Sequence, residues 1–272
     1  MRKVNGLVFL LLLFLSTTAM AQRDECLGEY TFKSGEYITY RAVYNWGFIW
    51  LNAGDVFFSV SDTVYNGKKA LHLVSKGWSL KEYDWFFKVR DRFESIIDTA
   101  YLKPYWFERE TLEGGFETYN RYVFDHEKGN LDIISKTSKR AFKRDVRKLT
   151  NCTFDVLSAI YYCRNLDFDN RKPNEKIPLR MAIDNDVYDL YLRYKGKEVL
   201  ELRNGEKYNT IKFSAMLVEG TIFKGGEDLT VWVTDDKNRI PVLVEAKILV
   251  GSVKAVITGA TGYKYPSKVL KF

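Results

Sequence analysis

Side chains that alternate with a period of two run through most of this chain, and they restrict it to extended strands over most of its length. "DVFFSVSDTVY", "KALHLVSKGW", "WFFKVRDRFESIID", "LKPYWFERETLEG" and "ETYNRYVFDHEKGNLDIIS" follow one another in the first half. "VYDLYLRYKGKEVLEL", "YNTIKFSAMLVEG", "LTVWVTDDKNRIPVLVEAKILVG" and "SVKAVITGATG" repeat the habit in the second. Turn-forming clusters separate them: "NGK" at 66–68, "EKGN" at 127–130, "DND" at 184–186, "NGE" at 204–206 and "DDKNR" at 235–239. About a dozen strands joined by such short turns imply antiparallel meanders, not βαβ crossovers. The expected fold is mainly β, with antiparallel, strongly twisted or barrel-like (half-barrel) sheets.

One segment breaks the rhythm. In "NCTFDVLSAIYYCRNLDF" (Asn151–Phe168), Val156, Ala159, Ile160 and Cys163 fall on one helical stripe, with Leu157 and Tyr161 on its flank. Only Asp155, Ser158 and Arg164 are clearly polar, and a helix apolar around most of its circumference is buried on several sides. The pattern predicts one principal buried helix near 153–166, capped by Thr153 or Asp155. It would pack into the concave face of the curved sheet and leave a hollow beside it. "RKPNEK" at 171–176 ends the helix and serves as a connector. N-terminal and C-terminal β-units would meet near 167–178 within a single mature β-rich domain, residues 22–272.

The first residues bear on compartment. "MRKVNG" is basic, "LVFLLLLFLSTTA" is apolar, and small residues follow at Ala19 and Ala21. That is the layout of a signal peptide spanning 1–21, and its apolar run is short for a membrane span of about 20 residues. Loss of Arg2 and Lys3 lowers the net charge from +7 to +5. A charge of that size suits acidic lipid head groups or glycans and gives no case for nucleic acid. Three cysteines in an oxidising compartment allow one disulfide and one spare thiol. Cys152 and Cys163 on one helix would stand about 16 Å apart, too far for a bridge. Cys26 is then the common partner; Cys26–Cys152 is favoured because it ties the exported N-terminus to the helix start. Cys26–Cys163 and three buried thiols are the alternatives.

Catalytic signals are weak. His72 lies in a strand and His126 in a turn, with no metal-ligand spacing, no Cys-x-x-Cys, no Gly-x-Ser-x-Gly elbow and no phosphate-binding glycine loop. "DNDVYD" (Asp184, Asp186, Asp189) resembles part of a calcium loop but lacks the glycine turn and the distal glutamate. No catalytic residue, metal or cofactor is therefore assigned. Two features remain. Tyr40, Tyr44, Trp46, Phe48 and Trp50 share even positions, and period two puts their rings on one face, where they are ligand-lining candidates. "KTSKRAFKRDVRK" (136–148) supplies the anion-binding candidates Lys139, Arg140, Lys143, Arg144 and Arg147. On a strand these cations divide between two faces.

Three stretches, "GEYITYRAVYNWGFIWLNAGDVFFSV", "FDVLSAIYYCRNLDF" and "LTVWVTDDKNRIPVLVEAKILVGSVKAVI", resemble in order the landmarks of a bacterial exported family catalogued as domain of unknown function 3108. The likeness spans roughly residues 35–260. It rests most on Asp155-Val-Leu-Ser-Ala with Tyr161, Tyr162 and Arg164, and on Asp235-Asp236…Arg239-x-Pro241. The resemblance implies a periplasmic or outer-membrane-associated β protein of a Gram-negative bacterium. Cys163 looks unusual for the pattern, which further favours Cys152 as the disulfide partner. The function expected is non-enzymatic binding of a lipid or other apolar envelope ligand. The alternatives are a structural or assembly partner of envelope proteins and a glycan-acting hydrolase with paired carboxylates. An integral outer-membrane barrel is disfavoured, although the chain ends in Phe272. Lys88, Arg90, Arg92 and Glu94 would charge one strand face and Asp91 the other, and Pro266 fits poorly.

Overall fold

The computed structural model describes residues 30–217, 226–248 and 251–270. Residues 1–21, expected to be a signal peptide, and Cys26 lie outside them. Fifteen strands among the described residues form one sheet. Its first half is a meander: β1 (Tyr37–Trp46), β2 (Ile49–Tyr65), β3 (Lys68–Ser79), β4 (Val89–Asp98), β5 (Pro104–Glu113), β6 (Phe116–Asp125), β7 (Asn130–Thr137) and β8 (Arg140–Lys148). A short helix, α1 (Asp84–Phe87), interrupts the β3–β4 connection. Then come the two-residue β9 (Thr153–Phe154), the helix α2 (Val156–Arg164) and a second meander. That meander comprises β10 (Lys176–Ile183), β11 (Asp186–Glu201), β12 (Lys207–Leu217), β13 (Gly226–Thr234), β14 (Pro241–Lys247) and β15 (Ser252–Thr261).

The spatial order runs β8 to β1, then β15 back to β9. Every pairing in that order joins sequence neighbours except that of β1 with β15, where Tyr37 lies opposite Thr261; β8 and β9, consecutive in the chain, stand at opposite limits of the sheet. The sheet contains the strands on both sides of the 167–178 connector. Its ends do not join by backbone pairing. They are drawn together by side chains: Arg109 of β5 holds Asp184 at 2.7 Å, and Arg147 of β8 reaches Asp186 at 3.4 Å. The arrangement is mostly antiparallel and barrel-like but open, in line with the sequence.

One pairing departs from the meander. β9 runs parallel to β10, Thr153 opposite Arg180. A parallel pair needs a crossover, and α2 supplies it. The helix begins two or three residues later than the sequence suggests because Thr153 and Phe154 are spent on that pairing. Asp155 is its N-cap: its carboxylate accepts from the backbone N–H of Leu157 (2.8 Å) and Ser158 (2.9 Å), while Ser158 Oγ accepts from the Asp155 N–H. This reciprocal box satisfies the free donors of the first turn.

The buried positions of α2 are Leu157, Ser158, Ala159, Tyr161, Cys163 and Arg164, whereas Ile160 is partly exposed. Apolarity alone placed Ile160 inward; the polar landmarks Ser158 and Arg164 are buried instead because each has a polar partner within the fold. Buried aromatic and aliphatic side chains surround the helix. Phe32 packs on Tyr161 with ring centroids 4.6 Å apart, Phe154 stacks on Tyr162 at 4.4 Å, and Leu73, Ile97, Phe107, Tyr122 and Ile133 complete the same core. These side chains pack together in the region where the sequence suggests a hollow.

Arg164 closes the helix from the other end. Its guanidinium donates to both oxygens of Glu36 at 2.6 and 2.9 Å and to the Asn238 carbonyl at 3.0 Å, and it lies near the adjoining rings of Phe32 and Tyr161. Both charged side chains are almost wholly buried. Asn238 belongs to the β13–β14 turn, which Asp236 organises by accepting from the Asn238 and Arg239 N–H groups and from the Thr234 and Ser267 hydroxyls. Breaking one partner of a buried pair strands the other charge, at a cost of about 3–5 kcal/mol. Glu36→Gln and Arg164→Met are therefore each expected to lose stability of about that size in urea unfolding. The double variant should lose clearly less than the two singles combined; strict additivity would contradict the pairing.

Candidate functional site

The connections β1–β2, β3–β4, β5–β6 and β7–β8 all lie at one end of the first meander, as alternate turns must. That end is unusually aromatic. The β1–β2 hairpin turns at Gly47 and Phe48, with Gly47 in the left-handed region (φ 58°) and the Asn45 side-chain amide donating to the carbonyls of Gly47 and Ile49. From Tyr44 to Asn52 the hairpin carries no charge. β3 stops opposite Gly54, so residues 49–53 run beyond it by about 17 Å at the usual rise per strand residue. Phe48 at the tip is 95% exposed.

Beside it the β3–β4 connection turns through α1. Leu80 N–H donates to the Ala53 carbonyl, and Gly114 N–H to that of Lys88. The segment thereby bridges β2 and the β5–β6 tip. Arg90 clamps Asp84 and also donates to Ser79 Oγ, fixing the turn, and this contact draws the Asp84 carboxyl below its ordinary range. The rings point outward: Trp85 is 84% exposed and Phe86 78%. Phe87 lies so close over Gly114, itself at φ 57°, that any side chain there would collide with the ring. Phe116 of the next tip lies beneath Lys139 Nζ, 5.8 Å from the ring centroid. On the flank of β4–β7 is a shallow cleft of about 290 Å³ lined by Arg90, Glu110, Leu112, Glu117, Tyr119 and Lys136 among others.

The aromatic candidates of residues 40–50 separate in this framework. Tyr40 is buried, its hydroxyl donating to the Pro241 carbonyl at 3.0 Å and its ring edge-on to Phe58. Tyr44 is half-buried, and Trp46 pairs by backbone with Ile49. The tight turn at 47–48 reverses the strand, so Trp50 pairs opposite Asn45 and joins the odd-numbered face. Arg203 and Lys254 both approach its ring, at 4.5 and 4.8 Å from the centroid. A single aromatic face over 40–50 therefore does not form, because the even spacing is interrupted by a hairpin turn. The three most exposed rings among the described residues are Phe48, which belongs to this set, and Trp85 and Phe86, which lie in a stretch expected to be strand. Three consecutive aromatics in "WFFK" cannot alternate inward and outward, and that break in period was the available signal.

The basic run forms the end of β7, a turn and the edge strand β8. Lys143 pairs with Asp145, Arg144 with Asp132, and Arg147 with Asp186, while Lys139 covers Phe116; Arg140 makes no ion pair among the described residues. The three acids of "DNDVYD" each hold an arginine: Asp184 with Arg109, Asp186 with Arg147 and Asp189 with Arg180. They act as ties across the sheet. Among the described residues no three His, Cys, Asp or Glu side chains gather as a metal site. His72 Nε2 lies 3.2 Å from Glu94, and His126 meets the Pro104 carbonyl. Cys163 is free and buried, which pushes its thiol up to about 12.

By architecture the molecule is an open, barrel-like antiparallel β protein. It has a fold likeness to a solved structure described as a beta-barrel-like protein of domain of unknown function DUF1849 from Brucella abortus, with a TM-score of 0.53 and 8% identity over 84% of this chain and 98% of that one. No curated protein is similar in sequence at a significant level. The chain belongs to the family described as protein of unknown function DUF3108, which it matches over residues 39–258.

Asp91 offers a measurable reporter near this end. Partial burial, with Glu113 nearby, raises its carboxyl to about 7, against the lowering effect of the Leu112 N–H and Arg109. Between the ordinary carboxylate value and 7 the folded protein retains a proton that the unfolded chain has released. Stability contributed by Asp91 therefore falls as pH rises through that window, and the penalty is complete above it. Asp91→Asn should match the parent near pH 4 and exceed its melting temperature increasingly up to about pH 7. An equal offset at every pH would refute the assignment.

Proposed function

We propose that this chain is an exported, non-enzymatic protein of the cell envelope that engages lipid or another apolar envelope component with its aromatic end. The leader-like residues 1–21 support export, and the periplasm or the periplasmic face of an outer membrane is the compartment proposed. The observation that carries the binding role is the exposure of Phe48, Trp85 and Phe86 on connections at the same end of the first meander. Aromatic rings that are left in water on braced turns have a strong drive to enter an apolar or interfacial phase. The packed interior around α2 directs such a ligand to this end in preference to the barrel core. No helix among the described residues is long and apolar enough to cross a membrane.

A Cys26–Cys152 disulfide belongs to the same proposal. The free, buried state of Cys163 favours this pairing over Cys26–Cys163. Peptide mapping of the unreduced mature protein should recover residues 26 and 152 in one linked fragment, with Cys163 alkylated only after unfolding.

The binding role is tested with mature protein and phospholipid vesicles. Co-sedimentation and a blue shift of tryptophan emission are expected, and Trp85→Ser with Phe86→Ser should weaken binding about 10- to 100-fold, the equivalent of withdrawing one or two buried rings. Absence of association at any lipid composition, with no lipid retained in native mass spectrometry, would remove the proposal.

A further inference from the structure

The cleft of about 290 Å³ on the flank of β4–β7 is built from two rows of cross-strand neighbours. Arg90, Leu112 and Glu117 stand opposite one another in the first row, and Glu110, Tyr119 and Lys136 in the second. Directly opposed residues share a face of the sheet, and so do residues two apart on one strand, which sets all six on the same side. Four of them are committed or apolar. Arg90 holds Asp84, Glu110 accepts from Arg92 at 3.2 Å, Tyr119 donates its hydroxyl to Glu108 at 2.9 Å, and Leu112 carries no polar group. Lys136 and Glu117 differ. Both are exposed, and neither makes an ion pair among the described residues, with the other or elsewhere. A free cation and a free carboxylate thus line one cleft and stay apart. The cleft adjoins the aromatic tips: Glu117 follows Phe116 directly, and Leu112 lies two residues before Gly114, over which Phe87 packs.

We infer that this cleft binds a zwitterion in which a primary ammonium and a phosphate are joined by a short chain, the chemistry of a phosphoethanolamine head group. Glu117, with Glu110 in the adjoining row, accepts from the ammonium, and Lys136 meets the phosphate. A ligand bearing only negative charge would set its phosphate against two carboxylates, and a purely cationic one would meet Lys136 and Arg90. The three N–H donors of a primary ammonium suit two carboxylate acceptors. A trimethylammonium has no donor and is recognised by cages of aromatic rings, for which Tyr119 alone does not suffice. An envelope lipid as the source of the zwitterion rests on the role proposed above, with Trp85 and Phe86 entering the lipid while the cleft reads the head group beside them. Recognition of the zwitterion does not rest on that role, since a soluble ester satisfies the same groups.

Two titrations of the mature protein separate these parts. One uses vesicles of phosphatidylcholine alone and of an equimolar mixture with phosphatidylethanolamine; the other follows amide signals of isotope-labelled protein by NMR as glycerophosphoethanolamine is added. The mixture should be bound about fivefold more tightly than phosphatidylcholine, and the soluble ester should shift the amides of residues 110–119 and 136. Glu117→Gln and Lys136→Gln should each remove both the preference and the shifts, yet retain the binding to phosphatidylcholine that the aromatic rings provide. Both positions are exposed, and melting temperatures equal to the parent's would confirm folding. Ethanolamine lipids also alter bilayer packing, so a preference that survives both substitutions would overturn the inference. Loss of the preference in Lys136→Gln with Glu117→Gln like the parent would overturn it too, by reducing the site to a cation. So would equal binding of the two vesicles with no shift from the ester. Shifts from the ester without any binding of vesicles would remove the lipid role alone and assign the cleft a soluble zwitterion.

Discussion

The guanidinium of Arg164 is the point on which the rest of this structure depends. It lies at the last turn of α2, yet its partners come from Glu36 at the entrance to β1 and from the Asn238 carbonyl in the β13–β14 turn. Three distant parts of the chain thus share one buried charge pair, with the adjoining Phe32 and Tyr161 rings beside the guanidinium. Such a pair contributes little through its own attraction once desolvation is counted. Its consequence is positional: no other arrangement leaves both charges satisfied. Asp155 does the corresponding work at the opposite end of the helix, where burial raises its carboxyl to about 6 and the Ser95 and Ser158 hydroxyls, together with two backbone donors, hold it in place.

This division of labour separates the barrel's two ends. The helix and its polar anchors hold packed rings in the interior, and in this chain Asp155 and Arg164 are engaged by partners within the fold. The proposed interaction surface lies apart from these anchors, on the connections of the first meander. The Asp236 turn fits the same picture, because each oxygen of its carboxylate is committed to holding the turn or the C-terminal segment.

Period-two alternation was enough to read an antiparallel, barrel-like sheet, and one uninterrupted apolar segment was enough to locate the helix. What it could not convey was pairing across the chain. The role of Glu36 as partner to Arg164 depends on contact between positions 128 residues apart, which no local pattern encodes. Parity along 40–50 misled because a two-residue turn reverses direction without changing the count. Ile160 and Arg164 exchanged their expected environments for a related reason: side-chain polarity predicts burial only when no partner waits inside. The basic run had two readings, one face on a helix or two on a strand, and only the fold shows that it is a strand and that it stands at the sheet's limit.

The junction of β1 with β15 carries a kinetic consequence. Each meander is assembled from neighbours in sequence, so its hairpins need close only short loops, whereas Tyr37 and Thr261 must find each other across more than 200 residues. Folding should then proceed as two locally formed ribbons that zip together late, with the slow step governed by the chain's own two ends meeting.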